Sequence, residues 1–399
     1  MSVPARSIAV VGAGVAGLAT ALACARAGHR VQVFERVSAF APVGAGIQLG
    51  PNATRVLHGL GLELALRAVA AFPTELQVRS GTDARLLGVL PLGDHALTRY
   101  GAPYATLARA DLHQLLLTAL EAQSQASLYL GCPIDVAQQD SSAVQFSTPD
   151  GMVRRVELLA AADGLWSTLR RQVLRDTPPE ATGHIAYRAL VPQADLPQNM
   201  RSAVVTAWLG PRFHAVTYPV RGGAWLNAVV VVHGMGDDAS DSWNQPASPD
   251  AILAGLEGAA PMLRDAVQAM GPWQAWTLFE RLPLRSAALM GAGRIALVGD
   301  AAHPMRPYLA QGAGMALEDS WCLAQALARP SSSVDQAVQT YTQLRWQRNA
   351  RVQARALRNG EWFHCTGLRA RLGCAPWRQP PENGRVWPVR RRRWQGCAS

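Results

Sequence analysis

Six residues near the start of this 399-residue chain constrain its fold more than any others: Gly12-Ala13-Gly14-Val15-Ala16-Gly17. Ile8 to Val11 before them is a short continuous apolar run, as in a parallel strand buried on both faces. Leu18 to Ala27 after them is strongly helix-forming, and Gly28 stands where a helix C-terminus favours glycine. Arg30 to Phe34 then alternates like a second strand and ends at Glu35-Arg36. Strand, glycine turn, helix and strand make one βαβ unit, so the chain opens on a parallel sheet. The spacing Gly12-x-Gly14-x-x-Gly17 in that context is a dinucleotide fingerprint. Gly12 allows the tight turn, Gly14 lets backbone approach a pyrophosphate, and Gly17 lets the helix pack on the strand. Glu35 falls 18 positions beyond Gly17, where an acid meets a ribose hydroxyl, and Arg36 adjoins it. The motif by itself does not separate FAD from NAD.

Composition narrows the class. A chain 49% hydrophobic and 17% charged is neither disordered nor fibrous, and its length calls for two or three packed units. No apolar run reaches the ~18 residues of a membrane span, and the N-terminus enters a strand pattern without a secretory signal. A soluble, cytoplasmic protein is expected. The six cysteines lie far apart, with no Cys-x-x-Cys pair and no His pair at ligand spacing, so neither a metal site nor a disulfide framework is expected. The net charge of +10 suggests nucleic acid until it is located. Residues 365–399 hold eight Arg and one Glu, a contribution of +7, which leaves +3 for everything before them. That is an ordinary enzyme body with a basic tail, and neither nucleic acid nor membrane is expected as its partner. The tail departs in composition from the rest and ends in Arg390-Arg391-Arg392-Arg393-Trp394. A nucleic-acid or membrane arm is one reading; a translated out-of-frame stretch of GC-rich DNA is the preferred one, with no catalytic role.

Further along, Arg109 to Ala122 carries a helical apolar stripe, and Val156 to Ala162 reads as a strand entering Asp163-Gly164. Residues 184–232 hold four strand-like segments, with Arg221-Gly222-Gly223 as a hairpin turn. Ala251 to Met270 is expected to be helical. Arg294 to Val298 is another buried strand ending at Gly299-Asp300, followed by helices over Gly312 to Ala328 and about Val334 to Asn359. The fold class is therefore α/β: a Rossmann-like domain interrupted by an antiparallel sheet, with a C-terminal helix.

The glycine motif, Asp163-Gly164 and Gly299-Asp300-Ala301-Ala302-His303-Pro304 together resemble the group A flavoprotein aromatic monooxygenases, the p-hydroxybenzoate hydroxylase-like family. The branch with salicylate, 3-hydroxybenzoate and 6-hydroxynicotinate hydroxylases is the most similar. The resemblance covers roughly residues 6–364. It implies an FAD-binding domain over 1–72, 103–178 and 282–333, and a substrate domain over 73–102 and 179–281. The C-terminal helix then takes 334–364 and the tail 365–399. It implies that Gly12, Gly14, Gly17, Glu35 and Arg36 hold the ADP part of FAD, that Asp163 lies near the pyrophosphate, and that Asp300 binds the ribityl chain. Arg109 matches a cofactor-contacting arginine, and Gly44-Ala45-Gly46-Ile47-Gln48 resembles the segment passing the flavin ring. Gly312 and Ala313 open a helix whose dipole can stabilise negative charge on the reduced flavin.

The same resemblance places His214 and Tyr218 beside the substrate's phenolic hydroxyl, and the residues agree. Pro211 to Pro219 reads as a strand in which positions four apart share a face. A neutral histidine near its ordinary pKa of ~6.5 is suited to take the phenolic proton. Gln48 and Tyr308 are expected beside the ring, His303 is expected to fix its loop, and Arg188 and Arg306 are candidate partners for a carboxylate or surface ion pairs. The implied activity is NAD(P)H- and O2-dependent hydroxylation of a small aromatic acid through a flavin hydroperoxide, by a monomer or homodimer. Two alternatives stand beside it. One is an FAD oxidoreductase of another reaction type, although the Trp-x-Trp-x-Ile segment of flavin halogenases is absent. The other is a non-catalytic flavin-binding product with a displaced C-terminus.

Overall fold

The computed structural model describes residues 4–41, 45–234, 245–330 and 332–364. Gly44 and the basic tail lie outside the described residues.

The opening βαβ unit forms as its sequence dictates. Ser7–Val11 pairs in parallel with Arg30–Phe34 across the helix Val15–Arg26. Leu158–Ala161 pairs in parallel on the other side of Ser7–Val11, so the strand order reverses at the first strand. Ligands of open α/β sheets sit at such a switch point, beyond the carboxyl ends of the strands. Ile295–Leu297, Gly291–Ala292 and Ala126–Tyr129 complete a six-stranded sheet, parallel except for the edge strand Gly291–Ala292.

A second sheet has eight strands. Its order is Gln245–Ala247, Trp273–Glu280, Glu180–Pro192, Trp225–His233, Phe213–Val220, Val205–Gly210, Glu75–Ser80 and Leu86–Pro91. The hairpin at Arg221–Gly223 joins Phe213–Val220 to Trp225–His233. One correction concerns the helix expected over Ala251 to Met270. Two short helices, Pro249–Ala254 and Pro261–Ala269, form instead. The first ends at its cap Gly255, Gly258 at φ +71° turns the linker, and Pro261 starts the second, where its missing N–H costs nothing.

Among the described residues, the two largest apolar cores correspond to the two largest sheets. The larger gathers Ile8, Leu18, Leu22, Leu112, Leu159 and Leu297 around the parallel sheet. The smaller gathers Tyr187, Phe213, Val230 and Trp273 behind the antiparallel sheet. The helix Gly312–Leu327 lies along the first core, and the long helix Val334–Phe363 packs against it. Ser333 and Gln336 start the long helix with a reciprocal capping box. Tyr341, fully buried, donates its hydroxyl to the Leu297 carbonyl at 2.7 Å and pins the helix to the parallel sheet.

Candidate active site

One cavity of about 350 Å3 opens where the two sheets meet, and it is lined from both. On the parallel-sheet side stand Gly14, Arg109, Asp300, Gly312 and Ala313. The helices Val15–Arg26 and Gly312–Leu327 both begin there. Neither has an acidic residue in its first turn or a side-chain cap, so two positive helix ends face the cavity uncompensated. Gly12 sits at φ +95°, and a Cβ on it would come within 2.5 Å of the Ala162 carbonyl oxygen. A Cβ on Gly17 would stand 1.8 Å from the Gly12 oxygen, whereas nothing lies within 4 Å of one on Gly14. Gly12 and Gly17 are thus small for the fold, and Gly14 keeps a space at the cavity wall. That space, beside two bare helix ends, fits the diphosphate of a dinucleotide.

The other cofactor candidates divide. Glu35 accepts hydrogen bonds from Ala13 N at 2.7 Å and Val37 N at 3.1 Å, so its carboxylate touches the glycine turn. Arg36 is exposed and does not line the cavity. Asp163 stands next to the lining residues Ala162 and Gly164, with Oδ1 buried and unpartnered; burial pushes its carboxyl up. His303 is fully buried against Asp319.

The opposite wall is the face of Phe213–Val220 that carries His214, Val216 and Tyr218, alternate residues of one strand. Val229, Val231, Trp276 and Leu278 make it apolar, and Arg188 adds a buried guanidinium over the Trp276 ring. Burial, and then the charge of Arg109, bring Arg188 down to about 10. Arg306 is engaged elsewhere, in a two-pronged ion pair with Glu280 at 2.6 and 2.5 Å. Gln48 lines the cavity and accepts from the Tyr104 hydroxyl at 2.7 Å. Tyr308 is not among the lining residues. It lies behind His214, with ring centroids 4.8 Å apart, and its hydroxyl meets His184 Nδ1 at 2.7 Å.

The surroundings of His214 correct one physical expectation. Burial first, then His184 and His233, bring its pKa down from the ordinary range to about 3. Its imidazole is neutral at any physiological pH, with Nδ1 held at 2.8 Å from His364 Nε2 and Nε2 as its remaining nitrogen. Burial likewise raises the Tyr218 phenol far above its usual range.

Several site residues were not legible in the sequence. Asn227, fully buried in the neighbouring strand, accepts from Gly46 N at 2.6 Å and stands opposite Tyr218 in the strand pairing. A lone amide inside the apolar run Leu226 to Val232 was its only signal. Tyr104 gave none. The histidines 184, 233 and 364 meet from two strands and a helix end, although no sequence spacing linked them.

Known proteins share both sequence and architecture with this chain. Residues 6–356 match the profile of a family described as FAD binding domain. The chain is 33% identical over 362 residues to a 3-hydroxybenzoate 6-hydroxylase of Polaromonas naphthalenivorans (strain CJ2), covering 90% of this chain and 89% of that one. It is 39% identical over 358 residues to a 3-amino-4-hydroxybenzoate 2-monooxygenase of Streptomyces cremeus, covering 90% and 87%. It is 34% identical to a 6-hydroxynicotinate 3-monooxygenase of Bordetella bronchiseptica, covering 89% and 91%. Among solved structures, a salicylate hydroxylase substrate complex superposes with a TM-score of 0.77 at 27% identity, over 91% of this chain and 90% of that one.

Proposed function

The chain belongs to the FAD-binding family of flavoprotein aromatic monooxygenases, with FAD as its cofactor, and from that premise we propose that it hydroxylates a small aromatic acid bearing a ring hydroxyl. NADH or NADPH is the electron donor. The relatives are named for hydroxybenzoates, an amino-hydroxybenzoate and hydroxynicotinate, which share a carboxylate and a ring hydroxyl. The observation that carries the proposal is the placement of His214 and Tyr218 in the cavity that Gly14, Asp300 and Gly312 line from the other side.

Bound FAD would supply the redox chemistry, with electrons from the nicotinamide and oxygen from O2. Gly14 and the two helix N-termini would hold its diphosphate, and Asp300 would accept its ribityl hydroxyls. The protein's own groups prepare the substrate. Val216, Val229, Val231 and Leu278 hold the ring in a water-poor slot. Arg188 supplies positive charge for the carboxylate. His214 Nε2 takes the proton of the ring hydroxyl, and Tyr218 positions that hydroxyl. With a pKa of about 3, His214 is by itself a poor base. Proton transfer from a phenol leaves an imidazolium beside a phenolate, and their attraction in a buried site offsets the penalty.

The test is product formed per NAD(P)H consumed, over a panel of hydroxybenzoates, 3-amino-4-hydroxybenzoate and 6-hydroxynicotinate. His214→Ala and Tyr218→Phe should keep their FAD, lose roughly 10²–10⁴-fold in hydroxylation, and divert electrons to hydrogen peroxide. Unchanged turnover and coupling in both variants would return these residues to the sheet core. A wild-type protein that oxidises NAD(P)H no faster with any aromatic acid would overturn the reading itself.

A further inference from the structure

Behind His214, on the side away from the cavity, three more imidazoles converge. His184 and His233 face each other across paired strands, with ring centroids 4.3 Å apart. His364, at the end of the long helix, closes over them at 5.3 and 4.6 Å. We propose that His184, His233 and His364 form a binding site for one divalent transition-metal ion of the zinc class, clamping the helix end to the antiparallel sheet.

One ring nitrogen from each residue lies within 4.8 Å of the other two. The outward nitrogens of His184 and His364 have partners of their own. Tyr308 Oη sits 2.7 Å from His184 Nδ1, which leaves Nε2 of that ring. His214 Nδ1 sits 2.8 Å from His364 Nε2, which leaves Nδ1. His364 Nδ1 and His233 Nε2 point at each other over 2.9 Å. Metal-bound histidines are oriented by such back-side bonds, which decide which nitrogen carries the lone pair. Donors ~2.0–2.1 Å from a tetrahedral zinc stand about 3.3 Å apart. The 233–364 pair must therefore open slightly and His184 must move inward, so the cluster closes around the ion. With the ion bound, each ring carries its single hydrogen on the outward nitrogen. The hydrogen shared between His233 Nε2 and His364 Nδ1 shifts to the outward side of its ring, and no other group has to ionise.

The ligand chemistry selects the ion. Three neutral imidazoles without a carboxylate suit zinc, nickel or copper and disfavour magnesium and calcium. Burial, reinforced by the neighbouring imidazoles and Arg306, holds His364 and His184 below the usual histidine range. The surrounding charges are the guanidiniums of Arg212 and Arg306, the latter paired with Glu280. The site is independent of the hydroxylase reading, yet it reaches His214. With Nδ1 on an ion, His364 must donate from Nε2 to His214 Nδ1, which puts the His214 hydrogen on Nε2, so the ion-loaded form lacks the free Nε2 that proton abstraction needs.

The experiment uses the untagged, full-length, FAD-loaded protein stripped of metal and titrated with Zn2+ against a chromophoric chelator. One equivalent is expected, and Co2+ in its place should give the visible bands of a tetrahedral ion. His184→Ala and His233→Ala should each abolish that equivalent while FAD content shows that they fold. Tyr308→Phe should weaken binding roughly 10–100-fold by freeing His184. His95→Ala, an exposed histidine elsewhere, should bind as the wild type does. Failure of the wild type to bind stoichiometrically, or full binding by both His184→Ala and His233→Ala, would overturn the site.

Discussion

At the scale of single residues, the glycines of the first turn separate stability from cofactor binding. Gly17 has the Gly12 carbonyl where a side chain would go, so Gly17→Ala must move the helix off the strand and should lower the unfolding temperature of the flavin-free protein. Gly14 has nothing there. Gly14→Val should therefore leave the flavin-free protein as stable as the wild type, yet purify colourless, because the new side chain occupies the diphosphate's place. Thermal melts and flavin absorbance of the two variants check this, and a yellow Gly14→Val would remove the turn from the site. Asp300→Ala tests the other end of the cofactor. Hydrogen bonds to a charged acceptor contribute about 1.5–3 kcal/mol, so FAD should bind roughly ten- to a hundredfold more weakly. Flavin titration at wild-type affinity would exclude Asp300 as a ligand.

At the scale of elements, the long helix supports the loop that carries Asp300. Its buried face bears Tyr341, Arg345, Asn349 and Gln353, a polar stripe at four-residue spacing. Arg345 pairs with Asp319 at 2.7 Å and Glu318 at 2.5 Å, Asn349 donates to Asp319, and Gln353 donates to the Pro304 carbonyl. Asp319 in turn holds His303 and the Gly299 N–H. Burial alone would raise the Asp319 carboxyl, but His303 and Arg345 outweigh it and hold the group well below the usual carboxylate range. A depressed carboxyl contributes stability that is present above the unfolded pKa of ~3.9 and lost as pH falls below it. Arg345→Met takes one buried cation from both carboxylates, leaving His303 on Asp319 and Arg348 on Glu318, and should cost about 3–5 kcal/mol at pH 7. It should also flatten the loss of stability below pH 4. Denaturant melts from pH 3 to 7 would show both effects, and a variant as stable as the wild type at pH 7 would refute this account of the helix. The sequence made the helix legible through its length and periodicity, but not its task, because a stripe of Arg, Asn and Gln reads as a solvated face until a partner is known. The broken helix at Gly258 and Pro261 was misread for the reverse reason, since apolar periodicity ran on across two breakers. Strands and glycine turns were legible because their signals are local. Asn227, Tyr104 and the histidine cluster were not, because tertiary pairing alone brings them together.

At the scale of the whole molecule, the antiparallel sheet shares one cavity with the parallel sheet. It is tied to the rest through a two-stranded sheet, Gly46–Leu49 with Ala105–Ala108, and the helix Arg109–Glu121. Thr106 Oγ1 donates to the Pro219 carbonyl at 2.5 Å, Gly46 N donates to Asn227 at 2.6 Å, and Arg221 pairs with Asp111 at 3.1 Å. The parallel sheet carries the diphosphate and ribityl candidates, and the antiparallel sheet carries His214, Tyr218 and Arg188. A cofactor filling that cavity contacts both, so its binding energy should tighten elements that contribute nothing to its diphosphate cradle. At a free FAD concentration one hundred times Kd the stabilisation is about 2.7 kcal/mol. Hydrogen exchange should accordingly slow in Phe213–Val220 and Trp225–His233, as well as at the start of Val15–Arg26. Gly14→Val should lose the protection at all three together, although its substitution touches only the first helix. If FAD protected the parallel sheet alone in the wild type, the flavin would end short of the antiparallel wall, and His214 would stand too far from its ring to serve the reaction.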